Sequence, residues 1–549
     1  MRRKQGGDVR PRVVYSAMEF LYRMLPEPYR RANSRGGLGI LGNCFWGGFN
    51  RAGIDAISCV PLYYRPWDDQ RTKLNLYELL KAPIADICVR FDGNNYVFPV
   101  WDMELAMCGQ HPQGHTLLYG FGMPDVDDMP VLFTDHSWSR YRQQVCFAYA
   151  VEKFLKRINY KPNIFWLNEA HTIPLIARTR HDKDPFFKGA KLLFTIHTLQ
   201  RAGMQRYYDQ RFEQMELAGE DWEKIFVKHN ILDFTFAAMC LADRVNGVSE
   251  KHARILRDDL FSEFEGKITH VTNGTDAEFW MNPTLWQMVS TGRAISGQDI
   301  CNARIARKRE ECARILNDHP GKELDPLAFW VGFVRRLADY KNLQKMLSPI
   351  LPALCADKGT VVQTPVGELP GRGMVFYMAA RAPENDGTCN WWMPEFSKLV
   401  EKYEGAHKRC IIYHEYNVEH LRRAAQMLDG NIEVPRPGEE ACGTSTFRIW
   451  TSGGLGFSSA LGPEEYTIDA EKNPETGNSY FLDADDYNPL ALYRELCHAQ
   501  DLHDAAVRNK GDAKPYWRML ENAFQLGREC DVTHTMGEYR KVFENMLAV

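Results

Sequence analysis

Cysteine chemistry is the first thing the sequence has little of. The 14 cysteines are scattered, and the nearest two, Cys301 and Cys312, stand too far apart for a C-x-x-C zinc knuckle or dithiol motif. No metal site is expected, and a reducing compartment fits such usage. Long apolar runs are missing as well: nowhere do about 18 apolar residues follow one another, the length a membrane helix needs. The start passes from Arg2-Arg3-Lys4 through Gly6-Gly7 into Val13-Val14-Tyr15 without the apolar centre of a signal peptide. A cytoplasmic protein with no membrane partner is expected. Charge of one sign is also absent, since 67 Lys and Arg against 71 Asp and Glu leave a formal net charge of -4. That balance excludes a mainly electrostatic grip on nucleic acid. No repeat occurs at solenoid periods, and no extended low-complexity tract is present.

What is there suits large cores. The chain has 549 residues, of which 44% are hydrophobic, and a single core stops growing beyond about 250–300 residues. At least two domains are expected. Val13-Val14-Tyr15, Ile164 to Leu167, Leu192 to Ile196 and Ile268 to Val271 read as buried strands of a first sheet, with Phe329 to Phe333 and Met374 to Met378 opening a second. Residues 281–326 hold a polar helix around Asn302 to Leu316 and then the turn-rich Asp318-His319-Pro320-Gly321, which reads as a linker. From about 515 onward two helices follow, separated by Cys530 to Thr533. The expected division is 1–315, 326–515 and 516–549.

Three stretches could carry chemistry. Gly37-Leu38-Gly39-Ile40-Leu41-Gly42, preceded by Gly36, is a G-x-G-x-x-G that could hold a phosphate on backbone N–H groups or form a plain tight turn. A dinucleotide site would want an acid after the next strand. That strand, Ala56 to Pro61, ends without one, so a nicotinamide enzyme is a minor reading. Next, Val334-Arg335-Arg336-Leu337-Ala338-Asp339-Tyr340-Lys341 gathers three cations directly after an apolar strand, where α/β sheets bind ligands; the plainer reading is a solvated helix start. Last, Glu439-Glu440-Ala441-Cys442-Gly443-Thr444-Ser445-Thr446 sets a carboxylate for sugar hydroxyls beside N–H donors, or simply caps a helix.

Taken in order, Ser16 to Phe20, Gly36 to Gly39, Asn168-Glu169-Ala170-His171, His197-Thr198, Val245 to Ser249, Thr272-Asn273-Gly274, Arg335-Arg336 to Tyr340-Lys341 and Glu440 to Thr444 resemble the α-glucan phosphorylases, especially their compact bacterial forms. The likeness runs from about residue 13 to the end. It implies an α/β fold of GT-B type, shared with glycogen and starch synthases: two Rossmann-like domains facing a cleft, with C-terminal helices crossing back. By that resemblance Gly36 and Gly37 lie at the cofactor phosphate, Arg336 and Lys341 bind the substrate phosphate, and Arg335 is a further cation near the cofactor. His197 and Asn273 match residues at the glucosyl 6-hydroxyl. Tyr340 lies near the 2-hydroxyl, and Glu440 matches the carboxylate at the 3-hydroxyl.

One position departs. Where the family carries the lysine that forms an aldimine with pyridoxal phosphate, three residues after Gly443-Thr444-Ser445, this chain has Arg448. A guanidinium stays protonated and forms no aldimine. No covalent pyridoxal phosphate is expected; Arg448 instead suits the diphosphate of a nucleotide sugar. The expected function is retaining transfer of a hexosyl unit, glucosyl by preference, from a nucleotide sugar to a hydroxyl acceptor. Glucan phosphorolysis and a non-catalytic carbohydrate-binding scaffold are the alternatives. Arg336, Lys341 and Arg448 are assigned to the leaving phosphates and Gly443 and Thr444 to the donor loop. Tyr416 is the candidate base stacker, ahead of Trp391 and Trp392. The expected partners are a nucleotide sugar or sugar phosphate and a carbohydrate or other hydroxyl acceptor; a homodimer is compatible with the sequence.

Overall fold

Two parallel sheets organise the chain, each built from short apolar runs of the kind seen in the sequence. The computed structural model describes residues 10–548 apart from 35, 67–70, 110–115, 133, 135, 199–203, 211, 383–385, 416, 486 and 509–510. The first sheet contains β1 (Arg12–Ser16), β2 (Asp55–Leu62), β3 (Ala85–Phe91), β4 (Asn94–Asp102), β5 (Thr116–Gly122), β6 (Ile164–Asn168), β7 (Lys191–Ile196), β8 (Arg244–Gly247) and β9 (Ile268–His270). Their order is β9-β8-β7-β6-β1-β2-β5-β4-β3. Neighbours run parallel except at β4, which is antiparallel to β3 and β5. β1, β6 and β7 are buried at almost every position, as strands covered on both faces must be. β3 alternates buried and exposed residues because one of its faces meets water. Its outer edge does not invite another strand: Lys153 and Arg157 donate to the carbonyls of Cys88 and Asp86.

The second sheet contains β10 (Trp330–Val334), β11 (Val375–Ala379), β12 (Cys410–Tyr413), β13 (Gly430–Glu433), β14 (Leu455–Ser458) and β15 (Tyr480–Phe481), all parallel, in the order β12-β11-β10-β13-β14-β15. This is the doubly wound order in which the winding reverses beside the first strand. The reversal falls between β10 and β13 here, and between β1 and β6 in the first sheet. Ligands of such sheets bind outside the carboxyl ends of the strands at the reversal, which fixes where each unit's chemistry should be sought.

The chain divides into two compact units, Met1–Asn273 with Val532–Val549, and Gly274–Asp531. The sequence reading placed residues up to 315 with the first domain and everything after 516 among crossing helices. Instead, the helix Gly297–Asp318 belongs to the second unit, because two of its cations are core residues: Arg304 and Lys308 bond buried Asp429 at 2.7 and 2.6 Å. The helix Lys514–Glu529 also stays with the second unit. Only the last helix, Val532–Ala548, joins the first. There it packs on the helix Gly37–Ala52, where a Cβ on Gly48 would lie 2.7 Å from Met536 Cγ. Tyr539 and Phe543 cover Trp166, with ring centroids 4.2 and 5.7 Å away.

Candidate functional site

In the second unit, β10 ends into Arg335 and Arg336, and its neighbour β13 ends at Glu433, so the winding reversal brings a cation and a carboxylate side by side. Arg335 forks: Nη1 bonds buried Glu433, and Nη2 donates to Glu440 at 2.8 Å. Lys341, carried on the short turn Asp339–Lys341, also bonds Glu440. Burial alone would raise the Glu440 pKa, but the charges of Lys341, Arg335 and Arg336 outweigh it and hold it at about 2. Glu440 is therefore a permanent hydrogen-bond acceptor at neutral pH. Among the described residues Arg336 has no hydrogen-bonded partner and is half-buried, so its fork is open to an incoming anion.

Arg448 lies on the helix Thr444–Trp450 with its guanidinium carbon 5.0 Å from the centroid of the Trp280 ring, and it donates to Thr444 Oγ1 at 2.9 Å. It is buried, with no carboxylate beside it among the described residues. Gly443 must be glycine because a Cβ there would lie 2.6 Å from Glu433 Cδ. Tyr340 is half-buried with the Lys341 ammonium over its ring at 4.6 Å. Of the candidate base stackers, Tyr416 lies outside the described residues, and Trp391 is exposed. Trp392 is a packing residue: it is buried, donates to Ser348 Oγ and packs at a tilt against Phe396.

In the first unit the carboxyl ends of β1, β6 and β7 bear polar groups. His197 follows β7. Its Nε2–H donates to Asn168 Oδ1 at 2.6 Å, and burial pushes its pKa down to about 3. A neutral imidazole with Nε2 protonated leaves Nδ1 as a lone-pair acceptor. Glu169, directly after β6, holds the strained combination φ +67° and ψ +165°. Its carboxylate receives the backbone N–H groups of His197, at 2.7 Å, and Thr198. Burial raises its pKa to about 7 against those two donors. Asn273 is buried with Oδ1 unpartnered among the described residues.

The glycine stretch opens the helix Gly37–Ala52, and the space beside Gly36 and Gly37 is empty. The Gly36 N–H, expected to face an anion, donates instead to Glu19 Oε1 at 2.6 Å. Glu19, Glu169, Glu433 and Trp280 carried no assigned role in the sequence reading. Nothing in the sequence marks Glu433, which closes the short strand Gly430–Glu433 four residues after another acid, Asp429, and nothing pairs Trp280 with Arg448. Among the described residues no group of three or more His, Cys, Asp or Glu could hold a metal ion, and no helix is long and apolar enough to cross a membrane.

Residues 34–270 match the family model of the starch synthase catalytic domain. Curated relatives include a glycogen synthase from Aeromonas salmonicida, 23% identical over 52% of this chain and 58% of that protein. Another, from Vibrio vulnificus, is 25% identical over 37% and 42%, and glycogen synthase 2 of Geobacter sulfurreducens is 27% identical over 43% and 46%. The chain spans about half the length of the curated relatives it matches. Among solved structures, the catalytic domain of starch synthase IV from Arabidopsis thaliana, bound to ADP and acarbose, superposes with a TM-score of 0.73 at 15% identity, covering 98% of this chain and all of that one. The fold is therefore the α/β GT-B fold expected. The phosphorylase resemblance is corrected: the matching family and relatives are synthases. Arg448, the residue that departs, pointed away from phosphorylases.

Proposed function

We propose that the chain is a retaining glycosyltransferase that moves an α-glucosyl unit from a nucleoside diphosphate glucose to a hydroxyl of a glucan. The observation that carries this reading is the charge cluster at the winding reversal of the second unit, where Glu440 is held ionised between Lys341 and Arg335 while Arg336 keeps an open fork. The match of residues 34–270 to starch synthases supports it.

In the proposed reaction the bond from the anomeric carbon to the diphosphate oxygen breaks, and a bond from that carbon to the acceptor hydroxyl oxygen forms on the same face. The hydroxyl proton passes to the departing phosphate oxygen, and a nucleoside diphosphate leaves. Arg336, Lys341 and Arg448 stabilise charge growing on the diphosphate, a preorganised electrostatic role. In the second unit Glu440 accepts from a sugar hydroxyl and Tyr340 adds a sugar contact; in the first unit Nδ1 of neutral His197 and the Asn273 carboxamide are offered to sugar hydroxyls. In the second unit Gly443 and Thr444 form the donor loop. Arg448 in the lysine position leaves no amine there for an aldimine with pyridoxal phosphate. The test is transfer from ADP-glucose or UDP-glucose to a maltooligosaccharide. Folded Arg336→Ala and Lys341→Ala proteins are expected to lose about 10²-fold or more of kcat, and full retention by either would remove that residue from the site.

A further inference from the structure

The fork of Arg335 is already filled. Glu433 Oε1 bonds Arg335 Nη1, while its Oε2 receives both the Thr446 backbone N–H at 3.1 Å and the Thr446 hydroxyl at 2.5 Å. A guanidinium, an amide N–H and a hydroxyl converging on two oxygens are the donor set of a phosphate site. Here they close on a side chain of the protein itself, fully buried and packed so tightly that the neighbouring Gly443 has no room for a Cβ.

We infer that Glu433 is an internal anion: it occupies a phosphate-shaped nest formed by Arg335 and Thr446, excludes a free phosphate from it, and leaves Arg335 to position Glu440. Arg335 is therefore a positioning residue and not a ligand of the donor. Its second nitrogen, Nη2, reaches Glu440 at 2.8 Å, so the same fork that is neutralised by Glu433 fixes the carboxylate proposed to hold the sugar. The consequence for specificity is that phosphate groups are received only by Arg336, Lys341 and Arg448, as suits a diphosphate leaving group and not a separate orthophosphate. That consequence rests on the transferase reading; the filled nest does not.

Calorimetric titration with inorganic phosphate, at ionic strength held constant with chloride, tests the nest without any nucleotide. Wild-type protein is expected to bind weakly, Glu433→Ala about tenfold or more tighter, and Glu433→Ala with Arg335→Ala no better than wild type. A Glu433→Ala protein that gains no phosphate affinity, or gains it independently of Arg335, overturns the inference. Should Glu433→Ala fail to fold, the isosteric Glu433→Gln decides with inorganic pyrophosphate as the probe. Removing one negative charge without changing shape is expected to tighten pyrophosphate several-fold, and unchanged affinity overturns the inference. ADP and UDP titrations of the wild type report separately: absence of both contradicts the proposed function and leaves the phosphate comparison standing.

Discussion

Buried carboxylates in this protein are pushed in opposite directions by what they touch. Glu440, between cations, is held at about 2, whereas Glu104 is pushed up to about 7 by burial and then by the charge of Asp102. Glu104 is buried with Oε2 unpartnered among the described residues. The folded state thus prefers its protonated form, and the stability this contributes below about pH 4.5 is lost as pH rises through 7. Glu104→Gln keeps the shape and sets an amide facing Asp102. It is expected to stabilise the protein by about 1–3 kcal/mol above pH 7, with the gain shrinking toward zero below pH 4. Thermal melts across pH 4 to 8 check this; a gain that is flat across that range would contradict it. At this scale the sequence names which residue types are present but not which are paired. Arg335 and Glu433 are 98 positions apart, and only the register of β10 with β13 makes them neighbours.

Among elements, the last helix shows how a short segment completes a distant core. Val532–Ala548 lays Tyr539 and Phe543 on Trp166 of β6, and Tyr539 accepts from Asn246 Nδ2 of β8 at 2.9 Å. Removing a fully buried aromatic ring costs about 3–5 kcal/mol, so Tyr539→Ala is expected to lower unfolding stability by that amount in urea titration. A loss below about 1 kcal/mol would mean the helix is dispensable to the core. That two helices close the chain was legible from periodicity and from the break at Cys530 to Thr533. That they belong to different units was not, because both carry apolar faces of the same kind. The helix Gly297–Asp318 was misplaced for a related reason: its polar composition reads as linker, and only Asp429, more than a hundred residues later, makes Arg304 and Lys308 core.

For the whole molecule, winding order converts sequence into chemistry. Short apolar runs announced the parallel sheets, because strands covered on both faces carry little else. The antiparallel hairpin β3–β4 was missed, since its alternating pattern gives a weaker signal. The sequence points to candidate positions directly after strand ends, Arg336 and His197, and to Lys341 and Glu440 through the motifs around them. Partners distant in the chain were illegible, as Glu433 is to Arg335 across the sheet and Trp280 to Arg448 between helices. The family likeness misled because it rested on short motifs, whereas the match over residues 34–270 is to starch synthases. The measurement that bears most directly on glucosyl transfer is proton NMR of the protein with ADP-glucose or UDP-glucose and a maltooligosaccharide. The expected result is release of the nucleoside diphosphate together with growth of an α-linked anomeric signal. Turnover of neither donor, with glucose 1-phosphate formed from glucan and inorganic phosphate instead, would contradict it.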